Sequence, residues 1–353
     1  MENKKPLQID RPVLVPEPKD AEFRPGRFTI DNDLRMSVQD YTIGSRLPDS
    51  IRTEINENIS NPEFYSLEIR SDGIKIGSGS EIGLFYAVQT LRQIVIQAAG
   101  SHIACVLIKD WPDYRNRGVM LDISRDRVPK METLRSLIDL WTGLKYNQLQ
   151  LYTEHTFAYP QHYKVWKDAS PITGSEAEEI AAYCSARGME LVPNQNSFGH
   201  MERWLAHDEY RHMGEATGPF TDPWGNRREI PTTLSPAVTS SIKFLAGLYD
   251  ELLPHFSSSL INVGGDETYE LGTGRSREEA ERKGVGELYL DFIRQIHSLL
   301  SKRNRRIMIY ADIILKHGHL VEKVPGDIIL IEWGYESDHP FEEECRRIAE
   351  AGL

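Results

Sequence analysis

Ile-Asn-Val-Gly-Gly-Asp-Glu-Thr, Ile261 to Thr268, is the stretch from which the rest of the chain is read. A short apolar run meets two glycines and then two adjacent carboxylates. The run reads as a buried strand of a parallel sheet that breaks at its C-terminal end and delivers Asp266 and Glu267 into a cleft. The glycines supply backbone freedom and room for a close-lying ligand. Two carboxylates held side by side do not both ionise freely, so one pKa is expected to rise and leave a proton donor at neutral pH. Acid-assisted cleavage of a glycosidic bond needs such a donor. A Gly-rich turn capped by solvated acids would carry the same letters, so the flanking segments have to decide.

On both sides of this stretch, strands and helices alternate. From Arg117 onward the expected strands are 118–123, 148–152, 190–192, 260–263, 306–310 and 328–333. A helix over about 130–144 carries Leu134, Leu137, Ile138 and Trp141 on one stripe. Ser175 with Glu178 forms the capping box of the next helix, which Gly188 ends. Ser235-Pro236 reads as the N-cap and first residue of a helix to about Leu253. Further helices are expected over about 288–302 and from about Phe341. Six βα units in a row predict an α/β fold, a (β/α)8 TIM-type barrel, with a doubly wound sheet as the alternative. Polar residues at the strand C-terminal ends favour the barrel, because barrel active sites sit at that face. They are Asp122 to Arg125, Glu154-His155, Asn194 to His200, Asp266-Glu267, Asp312 and Glu332-Trp333. The sequence ends at Ala351-Gly352-Leu353, where a seventh strand is due. The barrel is therefore expected to lack its last strands in this chain. An open barrel with apolar edges is expected to be unstable or to lean on a partner or a missing segment.

Residues 1 to about 25 are rich in proline and charge and read as extended. Residues 26 to 110 read as a small α+β domain. Tyr65 to Ile69 alternates, Asp72-Gly73 is a hairpin turn signal, and Ile74 to Ile76 returns as the second strand. Residues 82–99 carry Leu84, Val88, Leu91 and Val95 at helical spacing, and Val106 to Ile108 reads as another strand. Asp110-Trp111-Pro112-Asp113 is the expected boundary, giving an N-terminal non-catalytic α+β domain over 1–112 and a barrel domain over 113–353.

The 353 residues suffice for two domains with large cores. A net charge of −12 argues against nucleic acid and anionic membrane as main partners. No stretch reaches the length of a membrane span. Met-Glu-Asn-Lys-Lys-Pro at the N-terminus has no apolar leader core, so the chain as written reads as cytoplasmic; a secreted or periplasmic protein with its leader removed would read the same. Cys105, Cys184 and Cys345 lack metal-ligand spacing and read as buried thiols.

These segments together resemble glycoside hydrolase family 20, the β-N-acetylhexosaminidases. "LFYAVQTLRQIV" (84–95) resembles the helix of the family's small domain, "RNRGVMLDISRDRVP" (115–129) its first barrel strand, and "INVGGDE" its His/Asn-x-Gly-Gly-Asp-Glu signature. Order and spacing agree over about residues 12–353. The resemblance implies a retaining, substrate-assisted mechanism in which the substrate's 2-acetamido oxygen attacks the anomeric carbon and an oxazolinium intermediate forms. It implies Glu267 as general acid and then base, and Asp266 as the group that orients the acetamido N–H. It implies Arg117 as a ligand of sugar hydroxyls at the non-reducing end, His200 as support for the acid, and Trp333 as an apolar wall of the acetamido pocket. Terminal β-linked N-acetylglucosamine or N-acetylgalactosamine is the implied substrate; no cofactor or metal is expected, and oligomeric state is left open.

The sequence also departs from the family pattern. "LYTEHTFAYP" (151–160) puts Glu154, with His155 beside it, where an aspartate is usual. "NQNSFGH" (194–200) puts Asn196 where an acid is usual, and "YADII" (310–314) puts Ala311 near a usual tryptophan, with Asp312 still able to line the site. A divergent branch follows, or a carbohydrate-binding scaffold without catalysis. A third reading is a metal enzyme using Glu154, His155, Asp266 and Glu267 as ligands. "GTGRS" (272–276) lacks the lysine and spacing of a phosphate loop and reads as a mobile loop over the site. The long loop 194–233, with Trp204 and Trp224, reads as a lid or substrate platform, or as partly buried packing.

Overall fold

The computed structural model describes residues 11–125 and 127–353. The leader reading and the start of the extended segment fall on residues 1–10, and one position of the first barrel-strand motif falls on Asp126; these lie outside the described residues. The chain divides into two compact units. One holds 11–119, 131–148 and 182–190; the other holds 120–130, 149–181 and 191–353, Asp126 aside.

The first unit is built on a five-stranded mixed sheet. Its elements are β1 (Asp20–Thr29), α1 (Asn32–Gln39), β2 (Ile51–Ile55), β3 (Tyr65–Arg70), β4 (Gly73–Ser78), α2 (Glu81–Gln97) and β5 (His102–Asp110). Strand order is β1-β5-β3-β4-β2, with β2 and β4 parallel and the other pairs antiparallel. The β3–β4 register sets Leu67 opposite Ile76 and Ile69 opposite Ile74, so one face of the hairpin is apolar. Those side chains bury against Leu84, Val88, Leu91 and Val95 of α2. The Ser80 hydroxyl caps α2 by accepting from the N–H groups of Ile82 and Gly83. Strand β1 is illegible locally because Pro25-Gly26 sits inside it. The register shift between Arg24 and Arg27 absorbs both residues as a bulge, where the missing proline donor and the +110° φ of Gly26 are tolerated.

Strand β6 (Gly118–Asp122) leads into the second unit, and α3 (Met131–Gly143) packs with the first. The chain continues through β7 (Gln148–Tyr152), α4 (Tyr163–Trp166), α5 (Gly174–Ser185), β8 (Glu190–Val192), α6 (Glu202–Leu205), α7 (Asp208–Arg211), β9 (Phe220–Thr221), β10 (Arg227–Arg228), α8 (Thr239–Leu252) and β11 (Leu260–Asn262). It ends with α9 (Arg277–Lys283), α10 (Val285–Ser301), β12 (Arg306–Tyr310), α11 (Asp312–Lys316), β13 (Ile329–Ile331) and α12 (Phe341–Glu350). Strands run in chain order, β6-β7-β8 and β11-β12-β13, and a parallel bridge between Asn194 and Asn262 joins the two sets. No order reversal occurs among these strands, which removes the doubly wound alternative, since that fold needs a switch point.

Several local expectations are corrected. Thr173 and Glu176, not Ser175 and Glu178, form the capping box of α5, with reciprocal bonds of 3.2 and 2.8 Å. Glu178 instead reaches His255 at 2.8 Å. Helix α8 starts at Thr239, not at Ser235-Pro236; its N-cap position is Val238, which has no capping group, and the Ser235 hydroxyl donates to Glu215 at 2.6 Å. The loop 194–233 contains α6, α7 and the β9–β10 hairpin. In it Trp204 is fully buried and Trp224 is exposed. "GTGRS" is tethered: the N–H groups of Gly272, Gly274 and Ser276 all donate to the buried Glu215 carboxylate. Cys105 and Cys184 are buried and Cys345 is exposed.

Candidate active site

The site grows from the end of β11. Asn262 is fully buried; its Oδ1 accepts from the Gly264 N–H at 2.9 Å and its Nδ2 donates to Gln150 at 2.9 Å. That bond turns the chain into Gly264 and Gly265, at φ +69° and +92°. A Cβ on Gly264 would lie 2.1 Å from Asn196 Oδ1, and one on Gly265 would lie 2.8 Å from the Tyr289 hydroxyl. Both positions therefore need glycine on two grounds, conformation and space. Glu267 itself sits at φ +53°, an uncommon state for a non-glycine residue.

The loop after β8 closes over this turn. A Cβ on Gly199 would lie 2.2 Å from the Asp266 carbonyl oxygen, so only glycine lets the two backbones approach. His200, at φ +56°, then reaches both acids: its Nε2 lies 3.1 Å from Asp266 Oδ2 and 3.4 Å from Glu267 Oε2. Its Nδ1 lies 3.7 Å from Glu154. Burial opposes the imidazolium, but the bond to Asp266 and the charges of Asp266, Glu154 and Glu267 outweigh it, and the His200 pKa is raised. Burial raises the Glu154 carboxyl against the pull of His200 and Arg125. Burial and the neighbouring Asp266 push Asp312 up to about 6. The Asp312 carboxylate faces the Glu267 N–H at a long 3.4 Å.

Two clefts meet here. One, of about 560 Å³, is lined by residues including Asp122, Tyr152, Asp266, Tyr310 and Trp333. The other, of about 400 Å³, is lined by residues including Glu154, Phe220, Trp224, Arg228 and Tyr269. Arg125, His200 and Glu267 line both. Trp224 meets Tyr269 edge to face at 5.0 Å, and the β9–β10 hairpin that carries Trp224 is closed by Asp222, which accepts from Trp224, Asn226 and Arg228.

The sequence reading placed Glu267, Asp266, Glu154, His200 and Trp333 in one site, and all five line these clefts. Three assignments change. Arg117 belongs to the first unit, at the start of β6, and its guanidinium is consumed there. It bonds Glu63 at 2.6 Å, the Tyr86 hydroxyl at 2.9 Å, and the carbonyls of Lys145, Tyr114 and Arg115. Arg125, at the other end of the strand, was missed. It is half-exposed, pairs with Asp122 at 2.7 Å and Glu154 at 3.3 Å, and lies over the Tyr152 ring. The signal was available, since Arg125 follows the strand's C-terminal end and Arg117 precedes its N-terminal end. His155 is buried rather than cleft-lining, and burial pushes its pKa down to about 4, so it stays neutral. Asn196 is also fully buried; its Nδ2 donates to the Thr153 carbonyl, and its Oδ1 packs on Gly264. It positions the turn and offers nothing to a cleft. Among the described residues, His200, Asp266 and Glu267 bring ligand atoms within 4.8 Å of one another, as do Glu332, His339 and Glu344. The buried His155 takes no part in either set.

Residues 114–353 match the family model for the glycosyl hydrolase family 20 catalytic domain, and residues 44–111 match domain 2 of the same family. The chain is 29% identical over 258 residues to a beta-hexosaminidase of Akkermansia muciniphila, covering 63% of this chain and 52% of that protein. It is 26% identical over 234 residues to human hexosaminidase D, covering 64% of this chain and 46% of that protein. Among solved structures, the family 20 exo-β-N-acetylglucosaminidase of Vibrio harveyi, in complex with N-acetylglucosamine, matches 96% of this chain and 59% of its own, with a TM-score of 0.78 at 21% identity. The β-N-acetylhexosaminidase of Bacteroides fragilis matches 97% of this chain and 74% of its own, with a TM-score of 0.76 at 21% identity. This likeness in fold implies a TIM-barrel domain preceded by a small domain. The chain spans about half the length of the curated relatives it matches. With a family model covering most of its length and the Gly-Gly-Asp-Glu turn at the centre of its clefts, the chain belongs to glycosyl hydrolase family 20.

Proposed function

We propose that this protein removes terminal, non-reducing β-linked N-acetylhexosamine by the retaining, substrate-assisted route, with residues 113–353 as the catalytic domain and 1–112 as a non-catalytic one. One observation carries the reading: Arg125, His200 and Glu267 line both clefts, so an acid stands where a scissile bond would join a sugar in one cleft to its leaving group in the other. The larger cleft, with Asp266, Tyr310 and Trp333, takes the terminal sugar, whose C–H face packs on aromatic surface. The cleft with Trp224 and Tyr269 takes the leaving group. Arg125 presents donors to sugar hydroxyls.

In the first step the acetamido carbonyl oxygen attacks the anomeric carbon and the glycosidic C–O bond breaks. Glu267 gives its proton to the departing oxygen. Asp266 accepts the acetamido N–H and stabilises the positive charge that develops on the ring so formed. In the second step water attacks the anomeric carbon, Glu267 takes its proton, and the acetamido group is restored. His200 lies beside both carboxylates and holds them in register.

The test is release of 4-nitrophenol from its N-acetyl-β-glucosaminide, compared with the plain β-glucoside, for the chain and for Glu267→Gln. We expect turnover of the first substrate only, and loss on the order of a hundredfold in the variant. Comparable rates on the two substrates would sink the acetamido mechanism. Calorimetric binding of N-acetylglucosamine without turnover would favour the carbohydrate-binding alternative.

A further inference from the structure

We propose that Glu332, His339 and Glu344 form a binding site for a divalent transition-metal ion, with zinc the best fit, apart from the acid pair. The three come from different places in the second unit. Glu332 follows the end of β13, His339 precedes α12, and Glu344 lies in the first turn of that helix. Glu332 Oε1 is 2.8 Å from His339 Nε2, and Glu344 Oε2 is 3.1 Å from the same nitrogen. One imidazole nitrogen cannot satisfy two carboxylates, because it offers a single proton or a single lone pair. The shortfall is visible. The Glu332 side chain is only 7% exposed, yet its Oε2 is buried without a hydrogen-bond partner among the described residues.

A cation supplies what this set lacks. Two carboxylates and an imidazole are a donor set for a first-row divalent ion. Tetrahedral ligands at zinc distances sit roughly 3.3 Å apart, so the two separations from His339 Nε2 need open by only a few tenths of an ångström, and all three ligand atoms already lie within 4.8 Å of one another. The cradle is shaped for the ring. A Cβ on Gly334 would lie 2.4 Å from the His339 imidazole, so glycine there admits it. His339 and Glu344 keep about a fifth of their side-chain surface exposed, which leaves a route for the ion and a place for a water ligand. The consequence reaches the larger cleft. Trp333, Gly334 and Tyr335 line it and lie between the proposed ligands in sequence, so a bound ion would brace that wall.

The experiment is titration of Zn2+ into chelator-stripped protein by calorimetry, with bound metal counted after desalting. We expect about one equivalent, a melting temperature raised by the ion, and affinity lowered on the order of a hundredfold or more in both His339→Ala and Glu344→Gln. Asp266→Asn should bind as the parent does. Ca2+ should compete poorly, because it prefers a larger shell of oxygens. Absence of stoichiometric binding by the parent chain overturns the proposal outright. So does binding that survives both ligand substitutions, or binding lost with Asp266→Asn, which would put the ion at the acid pair. None of these readouts depends on hydrolysis, so the proposed activity and this site stand or fall separately.

Discussion

Two polar networks show how differently the same residue types can be used. In the first unit Lys145 pairs with Asp110 at 2.8 Å, Arg117 pairs with Glu63 at 2.6 Å, and the hydroxyls of Tyr65 and Tyr86 close the remaining bonds. Each cation there meets its anion, and the donors are spent. In the second unit Asp122, Glu154, Asp266 and Glu267 gather around Arg125 and His200, and Asp312 beside them has Lys316 at a long 3.9 Å. Asp266 Oδ1 and Asp312 Oδ1 are buried without partners among the described residues. The balanced network holds a scaffold together. The unbalanced one keeps the Glu154 and Asp312 carboxyls protonated longer than in water and leaves acceptors for a ligand's N–H and O–H groups.

The sharpest way to break this contrast is at the two arginines. Arg117→Ala should cost about 3–5 kcal/mol of folding stability, because it strands the nearly buried Glu63 carboxylate. Arg125→Ala should change stability by about 1 kcal/mol or less and instead raise KM for the nitrophenyl substrate. Urea denaturation beside steady-state kinetics reads both; an equal stability loss in the two would erase the distinction. Next in size, Glu267→Gln should lose on the order of a hundredfold in kcat with its melting temperature nearly kept. Glu63→Gln should do the reverse.

The pH dependence sharpens the contrast further. Asp312 titrates at about 6 when folded, well above an unfolded aspartate. The native state therefore holds a proton that the unfolded chain releases between about pH 4 and pH 6, and stability falls as pH rises through that window. Asp312→Asn removes the effect, so its stability relative to the parent should be greater at pH 7 than at pH 4 by roughly 2 kcal/mol. A difference independent of pH would show that Asp312 is solvated. The smallest effect is a control outside both networks. Thr173→Ala should cost about 1 kcal/mol through the lost cap, whereas Ser175→Ala should be near neutral. The reverse result would restore the Ser175 reading.

The elements themselves were largely legible. The expected strands from β6 to β13 and the hairpin β3–β4 appear within a residue or two, because each is an apolar run or alternation complete within its own length. Strand β1 was not legible, because a bulge that hides Pro25-Gly26 exists only once β5 is beside it. The acid pair was legible from Gly264-Gly265, and the opposite strand ends at which Arg117 and Arg125 sit distinguish those two. The burial of His155 and Asn196 was not legible; both are polar and follow strand ends, and nothing in their local spacing says that they will be saturated.

The sequence by itself determined the alternation of strands and helices, the glycine turn and the two carboxylates it delivers, since those follow from periodicity and backbone permissiveness over a few residues. Tertiary structure alone decided which charges are spent and which are left free. His200 meets Asp266 from 66 positions away, Glu63 claims Arg117 from 54, and Glu215 ties down Ser276 from 61. A side chain's chemistry depends on whether its donors and acceptors are already satisfied, and partners at such distances are brought together only by the packed fold.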